Sequence, residues 1–141
     1  MDSLNPWYEV KDGDPRAVAI FHRHYSCKND KADHVRYGFS GKGASMVLLT
    51  QDCKALWCWR QVAGEGIQCS VFRNEGDMLS SDLIKYAVEM ARTRWPYSRL
   101  YTYVDPKAVH GDGKCYKVAG WKKLPKRTKV HHLIELELGG F

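Results

Sequence analysis

Apolar residues in this chain come in short blocks, separated by polar or glycine- and proline-containing breaks. Residues 15–21 (PRAVAIF) hold the run Ala17, Val18, Ala19 and Ile20, which predicts a first strand. Residues 45–50 (SMVLLT) predict a second. Residues 55–62 (ALWCWRQV) predict a third, with Leu56, Cys58 and Arg60 alternating against Trp57, Trp59 and Gln61. The connection Gln51-Asp52-Cys53-Lys54 suits a hairpin turn. After the turn Gly64-Glu65-Gly66, residues 67–73 (IQCSVFR) predict a fourth strand, which Asn74-Glu75-Gly76-Asp77 breaks.

The pattern then changes period. From Ser81 to about Arg94, Leu83, Ile84, Ala87, Val88 and Ala91 form one apolar stripe at helical spacing. Ser80 or Ser81 can cap this helix, and Asp82 complements its positive end. Trp95-Pro96 stops it, because a residue before proline avoids the helical region. Residues 99–104 (RLYTYV) predict a fifth strand, closed by Asp105-Pro106. Gly111-Asp112-Gly113 opens a short helix over 114–119 with Gly120 as its C-cap, and residues 128–138 predict a sixth strand. A strand–helix–strand unit after a meander predicts one α/β (α+β) domain over residues 1–141, with the long helix packed on a sheet face.

Composition narrows the setting. No apolar run approaches the roughly 18 residues that cross a bilayer. The N-terminus MDSLNPWYEV has no apolar core of a signal peptide, so the expected location is the cytoplasm, with no membrane partner. Lys+Arg number 22 against 16 Asp+Glu, a formal charge of +6, which favours a polyanionic partner. The cysteine count is five, odd, and no pair is spaced C-x2-C, which argues against a zinc ribbon and for reduced thiols. Cys58 and Cys69 read as small buried hydrophobes.

Tyr116-Lys117-Val118-Ala119-Gly120-Trp121 resembles the Y-x-x-x-G-F segment in the last helix of the GNAT superfamily of N-acetyltransferases, and the strand order is similar too. The resemblance covers about residues 67–138 and implies a mixed, mostly antiparallel sheet flanked by helices, acetyl-CoA as cofactor and acyl transfer to an amine. A finer resemblance lies in His24-Tyr25-Ser26, Phe72-Arg73-Asn74-Glu75, residues 80–84, residues 95–106 and residues 115–121, which together look like the Mom-like branch of phage DNA-modification proteins. That resemblance implies double-stranded phage DNA as partner and a nucleobase, or an amine attached to one, as acceptor. An aminomethylated pyrimidine is attractive chemically, because a primary amine is a better nucleophile than adenine's exocyclic nitrogen.

The GNAT resemblance implies roles residue by residue. Tyr116 is the candidate acid for the coenzyme A thiolate, since a phenol of pKa about 10 can protonate a sulfur anion of similar basicity. A backbone N–H near Val71 or Phe72 is the candidate oxyanion donor. The phosphate-binding pattern [QR]-x-x-G-x-[GA] is met by Arg73 and Gly76, with Met78 at its last position, and Ser80 and Ser81 can add hydroxyl donors at the helix start. Glu75 and Asp77 bring negative charge to the same loop.

His24 is the candidate base, with His22 two residues before it, and Asp105 ends a strand where α/β sheets place chemistry or forms a plain Asp-Pro turn. The Mom-like branch also implies a possible iron centre, for which His24, Tyr25, Asp105 and Tyr116 are the available ligand types, although no metal-ligand spacing is present. His131 and His132, on a predicted strand, point to opposite faces and cannot share a metal. Lys122, Lys123, Lys126 and Arg127, with Lys114, Lys117 and Lys129, form a basic run around Trp121 that suits nucleic-acid phosphates, the 3′-phosphate of coenzyme A, or a solvated loop. Trp57 or Trp59 suits either stacking on a flipped base or sheet packing.

Overall fold

The computed structural model describes residues 4–24, 38–125 and 133–139. Among these residues seven strands form one sheet: β1 (Trp7–Val10), β2 (Ser45–Thr50), β3 (Ala55–Val62), β4 (Gly66–Asn74), β5 (Leu100–Val104), β6 (Trp121–Lys123) and β7 (Ile134–Leu138). Their order across the sheet is β1-β2-β3-β4-β5-β7-β6. Only β4 and β5 run parallel; the other neighbours are antiparallel. Among the described residues the α-helices are α1 (Pro15–Phe21), α2 (Ser80–Arg94) and the short α3 (Lys114–Val118).

Residues 15–21 correct the sequence reading, which made them a strand; they form α1. Asp14 caps α1 by accepting from the backbone N–H of Arg16 at 2.9 Å and of Ala17 at 3.4 Å, and Pro15 takes the first turn, where its missing N–H costs nothing. Buried Ala17, Val18, Ile20 and Phe21 make a helical stripe, a period hidden inside an unbroken apolar run. Strands β1 and β6 were not predicted. Strand β1 pairs with β2 over four residues, and the Trp7 indole anchors it by donating to the Leu83 carbonyl at 2.8 Å. Strand β6 has three residues, too few to show a period. The sixth predicted strand is described over Ile134–Leu138, and its first part lies outside the described residues.

The alternation in β3 sorts the core into two layers. Leu56 and Cys58 join Ala17, Ile20, Phe21 and Val71 beneath α1. Trp57 and Trp59 join Leu83, Ile84, Ala87 and Tyr116 beneath α2 and α3. Among the described residues, no helix is long and apolar enough to cross a membrane.

Candidate active site between strands four and five

Strand β4 follows β3 through eight residue pairs but follows β5 only from Ile67–Leu100 to Cys69–Thr102. The β3–β4 register shifts here: Cys58 faces Val71 and Trp59 faces Cys69, so Ser70 is an inserted residue. An inserted residue bends its strand. Beyond Cys69, β4 and β5 are therefore no longer hydrogen-bonded neighbours, and a notch opens in the sheet.

A cavity of about 610 Å³ fills the notch. Val71 and Phe72 line it from β4, Thr102 and Val104 from β5, Ser80 and Ser81 from the start of α2, and Tyr116 from α3. His24, just after α1, completes the wall on the other side of the sheet. This volume is in the range of small-molecule sites.

The start of α2 forms one end of the cavity. Its cap residue, Leu79, makes no side-chain cap hydrogen bond, and the Asp82 and Leu83 N–H groups donate to the Leu79 carbonyl at 3.1 Å, so the Ser80 and Ser81 N–H groups are the first-turn donors that stand outside the helical ladder. Asn74 shapes the preceding loop: its amide nitrogen donates to the Met78 carbonyl at 2.7 Å and to Ser80 Oγ at 3.0 Å, while its Oδ1 accepts from the Gly76 N–H at 3.0 Å. Gly76 does not line the cavity; a Cβ there would meet Lys54 Cβ at 3.2 Å, so its smallness serves the packing of this loop on the β2–β3 turn. Arg73 does not line the cavity either. Its Nε donates to Glu75 at 2.6 Å, and Arg23 grips the same carboxylate at 2.6 and 2.7 Å. Arg23 first, then Arg73, holds the Glu75 carboxyl down to about 2.

The far end of the cavity is aromatic. The Tyr116 ring sits 5.1 Å from Trp121, 6.0 Å from Trp57 and 6.1 Å from Phe72. Its hydroxyl lies 3.6 Å from Cys69 Sγ. Gly113 lets α3 come this close: it has φ +85°, and a Cβ there would lie 2.7 Å from Leu136 Cδ1. His24 is 7% exposed, and burial, reinforced by the positive Arg73, lowers its pKa to about 4, against an opposing hydrogen bond with the Phe72 backbone. Its imidazole is therefore neutral at neutral pH.

Of the sequence-predicted residues, the structure brings together Tyr116, His24, Val71, Phe72, Ser80 and Ser81. Asp105 does not line the cavity: its Oδ1 accepts from the Lys107 N–H at 2.9 Å and its carbonyl from the Ala108 N–H at 2.9 Å, the turn-forming alternative of the sequence reading. Two of the four iron candidates thus share the cavity, His24 and Tyr116, while Tyr25 lies outside the described residues. Among the described residues, no three His, Cys, Asp or Glu side chains cluster as a metal site. Trp57 and Trp59 are fully buried in the sheet, so base stacking by them is overturned. Lys122 and Lys123 are exposed on β6, and Lys126, Arg127, Lys129, His131 and His132 lie outside the described residues. Cys69 and Thr102 were missed as wall residues; short strand periodicity signals burial at Cys69 but does not signal a notch.

The fold is that of known acyltransferases. An acyl-CoA N-acyltransferase from Pseudomonas aeruginosa superposes with a TM-score of 0.65 at 12% identity, covering 94% of this chain and 98% of that one. The Campylobacter jejuni N-acetyltransferase PseH superposes with a TM-score of 0.62 at 12% identity, covering 94% and 97%. No family model matches the sequence, and no curated protein matches it significantly. These likenesses carry the mixed, mostly antiparallel fold and do not carry the phage DNA-modification branch.

Proposed function

We propose that this chain is an acyl-CoA-dependent N-acyltransferase that takes acetyl-CoA and modifies a nucleobase, or an amine attached to one, in phage DNA within the host cytoplasm. The observation that carries the transferase reading is the notch: a sheet opened by an inserted residue, with a helix start at one end and a phenol at the other. The residues present fit coenzyme A. Ser80, Ser81 and the first turn of α2 would hold its diphosphate, and the exposed edge of β4 at 70–72 would run beside its pantetheine arm. Coenzyme A supplies the acyl group as an activated thioester.

The chain's own residues then have separable tasks. One backbone N–H of the adjacent Val71 and Phe72 points to the edge that β5 has left, since successive N–H groups alternate edges, and it is available to a carbonyl oxygen that gains charge. Tyr116 holds a proton at Oη for the departing sulfur. His24 stays neutral and can accept a proton only from a weakly basic nitrogen. Moving a proton from an alkylammonium of pKa about 10 to an imidazole at about 4 is uphill by about 8 kcal/mol. An exocyclic base nitrogen, neutral before reaction, makes no such demand.

The acceptor half of the proposal is supported by positive charge: Lys114 stands on the cavity wall, Lys117 is exposed on the same short helix, and Lys122 and Lys123 are exposed on β6. A second reading, a small-molecule or protein amine as acceptor, is favoured by the burial of Trp57, Trp59 and Trp121, which leaves none of these three indoles to stack on a base. Nucleoside mass spectrometry of ordinary and aminomethylated DNA, after incubation with protein and acetyl-CoA, tests the assignment. An acetyl gain on a nucleoside is the expected result; gain only on free amines overturns the DNA acceptor. Calorimetry with acetyl-CoA tests the cofactor, and no binding at millimolar concentration overturns the transferase reading.

A further inference from the structure

We propose that Arg23 and Arg73, gathered on the Glu75 carboxylate, dock a backbone phosphate of the nucleic-acid acceptor on the α1 side of the notch; the inference rests on the DNA-acceptor reading above. Both arginines aim Nε at the same oxygen: each donates to Glu75 Oε2 at 2.6 Å, and Arg23 Nη2 adds a bond to Oε1 at 2.7 Å. Two guanidiniums, always charged, thus meet over one ionised carboxylate, and the cluster keeps one positive charge.

The cluster has room for a second anion. Among the described residues, the two terminal nitrogens of Arg73 and Nη1 of Arg23 make no hydrogen bond. The Arg23 and Arg73 side chains are 50% and 38% exposed. Guanidinium N–H groups match phosphate oxygens in charge and in spacing. Glu75 holds both cations in place beforehand, so less side-chain freedom is lost when a phosphate arrives. Two like charges drawn onto one oxygen also repel, and a second anion relieves that repulsion.

Position assigns this phosphate to the acceptor. Arg73 pairs with Leu56 across β3 and β4, and Leu56 belongs to the layer beneath α1, so the Arg73 side chain leaves the sheet on the α1 face. Arg23 follows the C-terminal end of α1. Tyr116 and α2 pack on the opposite face, where the Ser80–Ser81 end was given to coenzyme A. Both arginines adjoin wall residues of the cavity: Arg23 precedes His24, and Arg73 lies between Phe72 and Asn74. A strand whose phosphate rests on this cluster brings a neighbouring base toward His24.

The test is duplex binding by the full chain, read as fluorescence anisotropy of a short labelled DNA duplex over a salt series. Arg73→Gln leaves the cluster neutral and should weaken binding about fivefold, with the slope of log affinity against log salt shallower by about 0.9. Glu75→Gln raises the cluster charge and should tighten binding about threefold, whereas a clamp that merely holds the fold together would lose from it. Arg73→Gln with Glu75→Gln restores one positive charge and should recover most of the loss. Arg94→Gln removes the same charge about 20 Å away, at the other end of α2, and should change affinity less than about twofold. Calorimetry should show acetyl-CoA affinity changed less than about twofold in Arg73→Gln, which separates an acceptor phosphate from those of coenzyme A. An unchanged duplex affinity in Arg73→Gln, an equal loss in Arg94→Gln, weaker binding in Glu75→Gln, or a matching loss of acetyl-CoA affinity overturns the inference and leaves the DNA-acceptor reading standing. A wild type that binds no duplex overturns the DNA acceptor itself, and the docking role falls with it.

Discussion

One strand, β4, has two unlike edges. Toward β3 it pairs along almost its whole length, and the side chains there make the densest part of the core: Leu56, Trp57, Cys58 and Trp59 have no measurable exposure. Toward β5 it pairs over three residues and then lets go. The first edge puts its backbone hydrogen bonds into stability. The second leaves them available to a ligand, and it is bordered by buried Val71 and Val104 together with the partly buried Ser70, Phe72 and Asn74. Stability and chemistry are thus divided between opposite edges of a single strand, and the inserted Ser70 is where the division is made.

The division can be tested from both sides. On the closed edge, Trp59→Ala removes a fully buried indole whose N–H donates to the Ala87 carbonyl at 3.0 Å. It should cost about 3–5 kcal/mol in urea unfolding, the largest effect considered. A loss below about 1 kcal/mol would mean that this edge is not the stabilising one.

At the notch, His24 is the group whose charge state the folded chain opposes. Its pKa falls from 6.5 to about 4 on burial. Between those values the unfolded chain binds more protons than the folded one, so stability rises with pH across this window and is flat above it with respect to this group. A tenfold change in proton affinity is worth about 1.4 kcal/mol, so the full difference across the window approaches about 3 kcal/mol. Unfolding measured through this window in wild type and His24→Gln should show the slope reduced in the variant; equal slopes would show that His24 is not held neutral.

Gly113→Ala should cost about 1–3 kcal/mol, from its left-handed backbone and the approach of Leu136, and should weaken function further by displacing Tyr116. Comparing its melting temperature with its acetyl-CoA turnover separates the two effects. Ser80→Asp has the opposite profile. A carboxylate in the first turn favours the helix by a few tenths of a kcal/mol but repels phosphate, so acetyl-CoA binding should weaken about tenfold while the protein melts no lower. Tighter binding in calorimetry would remove the phosphates from this end of the cavity.

Much of this architecture was legible along the chain wherever period and punctuation agreed. The alternation of Leu56 and Cys58 against Trp57 and Trp59 gave β3 and its two faces correctly, and the stripe from Leu83 to Ala91 with Trp95-Pro96 behind it marked α2. Residues 15–21 show where apolar content outweighed punctuation: Asp14-Pro15 is a helix start, but four consecutive apolar residues fit either period. Within the site, Tyr116, Ser80 and Ser81 were reachable because a short motif and a helix start are local features.

The surroundings of Arg73 and Cys69 were not reachable in the same way, because they come from distant segments. Arg73 meets a carboxylate that Arg23, fifty-two positions away from it, also holds. Cys69 meets Tyr116 from forty-seven positions away. Local order of residues set the elements, their faces and the helix start, since those depend on neighbours within a turn or a strand. Whether β4 and β5 stay joined or part, and which side chains then face the gap, depends on one inserted residue acting through pairings between remote segments, so it was settled by the packed sheet.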